Sequence, residues 1–141
     1  MIEAAGEIES PRADVWALVA EPYHLPDWWP GYRGVKPDRR GLAENARWEV
    51  LRSASPGFLR RPGSGGLIVI TRVVEGWELG WHDVQQAFDA RIALDNAGTG
   101  RTRAALAVDG AWWRLYAEGV RNLPQQALAR LQALCQTATS L

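Results

Sequence analysis

The chain predicts an α+β fold, an antiparallel sheet packed against a C-terminal helix, and three observations carry that expectation. Several consecutive stretches after residue 45 alternate apolar and polar side chains with the period of two that a half-buried strand requires. The final stretch, "PQQALARLQALCQTA", changes to the helical period and puts Leu128, Leu131, Leu134 and Cys135 on one stripe. The remaining helical pattern lies near the N-terminus, apart from the strands, and helices segregated in this way from an antiparallel sheet define the class.

Taken in order, residues 2–9 lack strong periodicity and read as a first strand. A helix start follows, with Ser10 as N-cap and Pro11 at the first helical position, and "RADVWALVA" groups Val15, Leu18 and Val19 on one face with Trp16 at its edge. That helix is expected to end near Glu21-Pro22. In "HLPDWWPGY" the prolines at 26 and 30, with Pro22 before them, permit a helical turn or two at most. "GYRGVKPDRRG" reads as a strand running into a polar turn, and "ARWEVLRS" as a strand with Ala46, Trp48 and Val50 opposite Arg47 and Glu49. "ASPGFLRRPGSGG" is a Gly- and Pro-rich loop. "LIVITRVV" is apolar on both faces and predicts a strand covered on both, and "EGW" turns into "ELGWHD". "AFDARIALD" sets Phe88, Ala90, Ile92 and Leu94 against Asp89, Arg91 and Asp95. "NAGTG" is a hairpin turn, and "RTRAALAVD" returns with Ala104, Leu106 and Val108 inward. Gly80, Gly98 and Gly100 read as turn or strand-packing positions. From Ala111 the pattern is helical, and Asn122 with Pro124 is expected to kink or restart that helix. No repeat, low-complexity tract or linker interrupts the 141 residues, which fit one domain over 1–141 with a single core.

Composition excludes several functions. The 16 basic and 16 acidic residues cancel and neither sign forms a block, so no nucleic-acid or anionic-membrane footprint is present. Apolar runs such as "LIVI" are far shorter than the roughly 20 residues of a bilayer span, so no integral membrane association is expected. Cys135 is the single cysteine, and "MIEAAGEIES" has neither the basic nor the apolar part of a secretory signal; the expectation is a cytoplasmic protein without disulfides. Lys36 is the only lysine and stands in a polar segment beside Pro37, which sets Schiff-base chemistry aside. His24, His82 and Cys135 match no metal-ligand spacing, and "RRPGSGG" at 60–66 matches no nucleotide fingerprint, so neither metal nor cofactor is expected. The eight tryptophans, by contrast, demand a large interior or a cavity to line.

Together "SPRADVWALVAEPYHLPDWWPGYRGV", "WELGWH", "LDNAGTGRTRAALAV" and "ALARLQALC" resemble the START-like superfamily called SRPBCC, and within it the polyketide cyclase/dehydrase-like branch. The resemblance implies a helix-grip fold: a curved seven-stranded antiparallel sheet wrapped around a long C-terminal helix, with two short helices closing one end (β-α-α-β6-α). It also implies a cavity between sheet and helix for an apolar or aromatic ligand. Members include lipid and sterol carriers, plant hormone and pollen-allergen proteins and aromatase/cyclases, so the fold alone does not assign chemistry. In this frame "HLPDWWPGY" becomes the second short helix and its exit, with one tryptophan, Trp28, turned inward and Trp29 packed on the sheet edge.

The resemblance lets Trp28, Trp48, Trp81, Phe88, Trp113 and Tyr116 converge on that cavity as ligand-binding residues, with "RRPGSGG" near its mouth. His82 and Tyr116 are the candidates for proton chemistry. His82 lies beside Asp83, but neighbours on a strand face opposite sides, so Asp83 cannot orient it; if Leu79 and Trp81 face inward, His82 faces solvent. His24 reads as a helix-end or surface residue. Arg72, Arg103, Arg114 and Glu118 are weaker polar candidates for orienting a carboxylate or phenolate, with Arg103 expected outward. Three functions stay open. The first is a binding protein for a hydrophobic or aromatic small molecule, which needs no catalytic constellation. The second is a cyclase or dehydratase-type enzyme using the same cavity without metal or nucleotide. The third is an interaction module or homodimer with a filled interior, Trp112 and Trp113 being unable to face inward together.

Overall fold

The computed structural model describes residues 1–52, 65–110 and 120–139. Strand β1 (Ile2–Ile8) leads into helix α1 (Arg12–Ala20), a 3₁₀ turn (Pro22–His24) and the single-turn helix α2 (Leu25–Trp28). Strands β2 (Tyr32–Lys36), β3 (Arg47–Arg52), β4 (Gly65–Val74), β5 (Glu78–Asp83), β6 (Phe88–Asn96) and β7 (Thr102–Gly110) follow, and a 3₁₀ turn (Val120–Asn122) leads into helix α3 (Leu123–Thr139). All seven strands form one sheet in the order β1-β7-β6-β5-β4-β3-β2, and every neighbouring pair is antiparallel. This is the helix-grip α+β architecture.

The alternation in the sequence explains which face is inner. Trp48 and Val50 of β3, Ile68 and Ile70 of β4, Leu79 and Trp81 of β5, Ile92 and Leu94 of β6 and Leu106 of β7 are all buried in one core. Helix α3 closes that core with Ala127, Leu128, Leu131 and Cys135, packing on β1, β7 and α2. The approach is closest at Gly6, where a Cβ would stand 3.1 Å from Leu128 Cδ2, and Gln132 Nε2 donates to the Glu7 carbonyl at 2.9 Å beside it. Register shifts between Tyr32 and Gly34 and between Ile70 and Arg72 are β-bulges, which bend and twist the strands they interrupt.

Four expectations need correction. Pro11, not Ser10, is the N-cap: its carbonyl accepts from Asp14 and Val15, while Ser10 is buried and its carbonyl takes the Thr102 hydroxyl at 2.7 Å. Strand β4 is covered on one side only among the described residues, since Leu67 and Val69 are half-buried on the outer face and no described helix packs there. Gly65 and Gly66, read as loop, begin β4 because they pair with Leu51 and Val50 of β3. Trp77 is not interior: it lies 40% exposed at the β4–β5 turn, with the Arg12 guanidinium 3.6 Å above its ring and Arg12 Nη1 donating to the Gly76 carbonyl. The rest of "RRPGSGG", residues 60–64, and the start of the C-terminal helical pattern, 111–119, lie outside the described residues.

Candidate functional site

The proline-broken segment builds the site. Pro26 falls in the first turn of α2, where its missing N–H costs nothing, and Pro30 restricts Trp29 to extended backbone, observed at φ −97° and ψ 117°. On a continuing helix Trp28 and Trp29 would point about 100° apart. Ending the helix at Trp28 and extending Trp29 sends both indoles inward, and both are almost wholly buried. The expectation that Trp29 packs on the sheet edge is thereby corrected. Gly31, at φ +95°, then turns the chain into β2 and delivers Tyr32 to the same place.

Five rings from four segments meet there. Trp29 and Trp81 stand edge to face at 4.9 Å between ring centres, Trp28 and Trp81 at 5.9 Å, and Trp28 and Trp29 at 6.0 Å. Tyr32 and Phe88 flank Trp29 at 6.5 and 6.3 Å. Perpendicular rings of this kind are favourable by about 0.5–1.5 kcal/mol per pair beyond their burial.

A polar chain runs through the aromatic cluster. Asp83 is wholly buried; Tyr32 Oη donates to its Oδ2 at 2.7 Å, and the Gln86 backbone N–H donates to its Oδ1 at 3.0 Å. Trp81 Nε1 donates to Tyr32 Oη at 3.4 Å, a long and weak bond. Trp28 Nε1 is buried without an acceptor among the described residues. Sequence reasoning singles out neither Tyr32 nor Asp83, although a signal existed for the second: the parity that turns Trp81 inward turns Asp83 inward too.

The other candidates separate clearly. Trp48 belongs to the same core but gives its indole N–H to the Gly41 carbonyl at 2.8 Å, so its polar atom is committed to a loop. His82 lies on the outer face, its side chain 40% exposed and its Nδ1 3.0 Å from Asp89. His24 is a surface residue 3.1 Å from Asp27. Arg72 is exposed and pairs with Glu78 at 2.8 Å, and Arg103 points outward. Trp112, Trp113, Arg114, Tyr116 and Glu118 lie outside the described residues. Among the described residues no group of three or more His, Cys, Asp or Glu side chains could hold a metal ion, and no helix is long and apolar enough to cross a membrane.

This geometry has relatives. The chain is similar over 99% of its length, at 12% identity and a TM-score of 0.70, to the protein XoxI from Bacillus cereus, of which it covers 99%. It is similar to NE0264 from Nitrosomonas europaea at 16% identity and a TM-score of 0.71, covering 99% of this chain and 96% of that one. The di-domain ARO/CYC StfQ from the steffimycin biosynthetic pathway matches at 9% identity and a TM-score of 0.70, over 99% of this chain and 46% of that chain. At these identities the likeness is one of fold. No curated protein matches the sequence. Residues 8–112 match the profile described as polyketide cyclase/dehydrase and lipid transport, three quarters of the chain, and the protein therefore belongs to that family of the SRPBCC superfamily.

Proposed function

We propose that the protein binds a hydrophobic or aromatic small molecule between the sheet and α3, against the rings of Trp28, Trp29, Tyr32, Trp81 and Phe88. One observation carries the reading: a buried carboxyl, a buried phenol and an indole N–H without an acceptor among the described residues sit together within a wall of aromatic rings. A core built only for stability does better with apolar residues at such positions, because each buried polar group loses water and regains only part of that cost in hydrogen bonds. A small-molecule site has this composition, an apolar lining with a few convergent polar groups. The family description, which includes lipid transport, supports the same class of ligand. Trp48 contributes a ring at the margin, and Trp113 and Tyr116 belong to the proposal through the resemblance alone.

Native mass spectrometry of the purified protein, followed by tryptophan-fluorescence titration with a panel of bicyclic and fatty hydrophobes, tests the reading. A retained small molecule, or saturable quenching with a raised thermal midpoint, is expected. Unchanged fluorescence and midpoint across the panel refute it.

A second reading, a cyclase or dehydratase-type enzyme, draws its support from the Tyr32–Asp83 hydrogen bond, along which Tyr32 Oη would pass a proton between a substrate and Asp83. His82, on the outer face, has no part in it. Turnover of a polyketone substrate that survives Tyr32→Phe would remove this reading.

A further inference from the structure

We propose that the outer face of the sheet is a self-association surface, on which a second copy of this chain packs face to face through Arg91 and Asp89. This face lies on the opposite side of the sheet from the aromatic rings, so the contact is independent of the ligand reading.

The cross-strand register arranges this face in rows. Arg72, Gly80, Arg91 and Ala107 stand side by side across β4, β5, β6 and β7, and the next row runs His82, Asp89 and Asp109 from β5 to β7. One row presents guanidinium groups and the next carboxylates, about 7 Å apart along the strands. Within one chain these charges are poorly matched. Asp89 and Asp109 are direct cross-strand partners, an arrangement in which like charges repel. His82 Nδ1 lies 3.0 Å from Asp89 and the N-terminal amine 3.8 Å from Asp109, yet the two side chains stay 64% and 63% exposed. Arg91 reaches Glu78 only at 3.9 Å, and Arg72 already holds Glu78 at 2.8 Å.

Shape agrees with charge. Gly80 and Ala107, on either side of Arg91, have little or no side chain, and a hollow of about 320 Å³ lies against them, lined also by Arg72, Asp89 and Asp109. Two carboxylates beside a hollow suit a guanidinium from outside, and this same face supplies one. A two-fold axis in the plane between two copies, crossing the strands between the rows, lays each row on the other copy's opposite row. Arg91 then meets the second copy's Asp89, and Asp89 meets the second copy's Arg91. Facing sheets stand about 10 Å apart, close enough for these side chains to meet across small residues. The face is complementary to itself, which selects a second copy over an unrelated partner, and no described helix packs on it. Five strands, β4-β5-β6-β7-β1, and about eight residues along each offer about 24 Å by 27 Å. The two copies together then bury about 1,300 Å², the small end of specific interfaces, which predicts a reversible dimer.

Sedimentation equilibrium of the wild type, Arg91→Asp and Asp89→Arg tests the contact, with Arg103→Asp as a control that makes the same charge change elsewhere on the outer face. All three positions are exposed, so the variants are expected to keep the fold, which the thermal midpoint checks. The wild type is expected to dimerise at low salt and to dissociate in about 1 M salt, where charges are screened beyond about 3 Å. Each reversal spoils two symmetric contacts and sets like charges together, so the dimer Kd should rise at least about tenfold, while Arg103→Asp leaves it within about threefold. Arg91→Asp mixed with Asp89→Arg should associate again, because a pair of those two chains has an aspartate facing an arginine at both contacts. Arg103→Asp mixed with Asp89→Arg should not regain wild-type affinity. A wild type that stays monomeric at high concentration and low salt overturns the inference. So does a dimer that survives either reversal, which uses another surface, or one that Arg103→Asp weakens equally. Failure of the two reversed chains to associate when mixed overturns it as well.

Discussion

Replacing Tyr32 by phenylalanine removes one oxygen, and among the described side chains two lose a partner with it. Asp83 Oδ2 gives up a 2.7 Å bond in a place no water reaches, and Trp81 Nε1 gives up its 3.4 Å acceptor. A buried hydrogen bond to a carboxyl group contributes about 1.5–3 kcal/mol, whereas a bond at the distance limit contributes little. Asp83 keeps the Gln86 N–H, and the ring keeps its place beside Trp29, so the loss should not exceed that range. The expected destabilisation is about 2 kcal/mol. For a domain of this size that lowers the thermal midpoint by about 6–8 °C and the urea midpoint by about 1 M, both readable from tryptophan fluorescence. A double-mutant cycle with Asp83→Asn should return a coupling of at least about 1 kcal/mol, because the two groups share one bond. A Tyr32→Phe protein within about 0.5 kcal/mol of wild type, with no coupling, would refute the claim that this pair is bonded within the core.

Leu131→Ala, which empties a wholly buried position on α3, should cost about 2–5 kcal/mol by urea unfolding. Burial pushes the Cys135 thiol up, with a bond to Ser10 opposing it, so the thiol stays protonated and should react with a disulfide reagent at about pH 8 far more slowly in the native protein than after unfolding. Its contribution to folding is complete below the ordinary thiol range and is lost as pH rises through the raised folded value. The backbone N–H of Arg47 holds Asp38 below the usual carboxylate range, helped by that of Arg40. The stability difference between wild type and Asp38→Ala should therefore be full at neutral pH and shrink as acid takes the solution through the lowered Asp38 value, which unfolding curves at several pH values will read.

How much of this was legible in the sequence depended on whether a side chain's direction followed from local repetition. Strand β6 was readable residue by residue because nothing interrupts its alternation, β7 was readable except at Ala107, which is buried between Leu106 and Val108, and the "NAGTG" turn supplies positive-φ glycines at 98 and 100. Helix α3 was readable from its stripe. Where the backbone leaves a regular form, periodicity lost its force. Pro30 forces Trp29 out of the helix and so reverses which way its indole points, and no count of threes and fours reports that. The outer face of β4 looked like a buried one because Leu67 and Val69 are apolar, and a sheet with one uncovered face carries such residues half-exposed at little cost. Tyr32 was unreadable for a third reason: its direction is set by Gly31 and by a bulge that follows it.

Asp83 differs from all of these, because its direction was readable and only its meaning was not. Strand β5 presents Leu79, Trp81 and Asp83 inward and Glu78 and His82 toward the outer face, so a slip of one residue would exchange the carboxyl for an imidazole and expose two of the largest core side chains. The burial of Trp81 thus fixes the burial of Asp83, but it does not require an acid there. An apolar residue at position 83 would satisfy the same register and the same packing against Phe88, its cross-strand partner, without a carboxyl to desolvate. A local rule is broken at this position and again at Trp28, where a buried donor lacks a partner among the described residues, and Trp81 touches Trp28 and reaches Asp83 through Tyr32. Two departures from ordinary core chemistry, linked by a single side chain, are where a function superimposed on the fold would leave its mark.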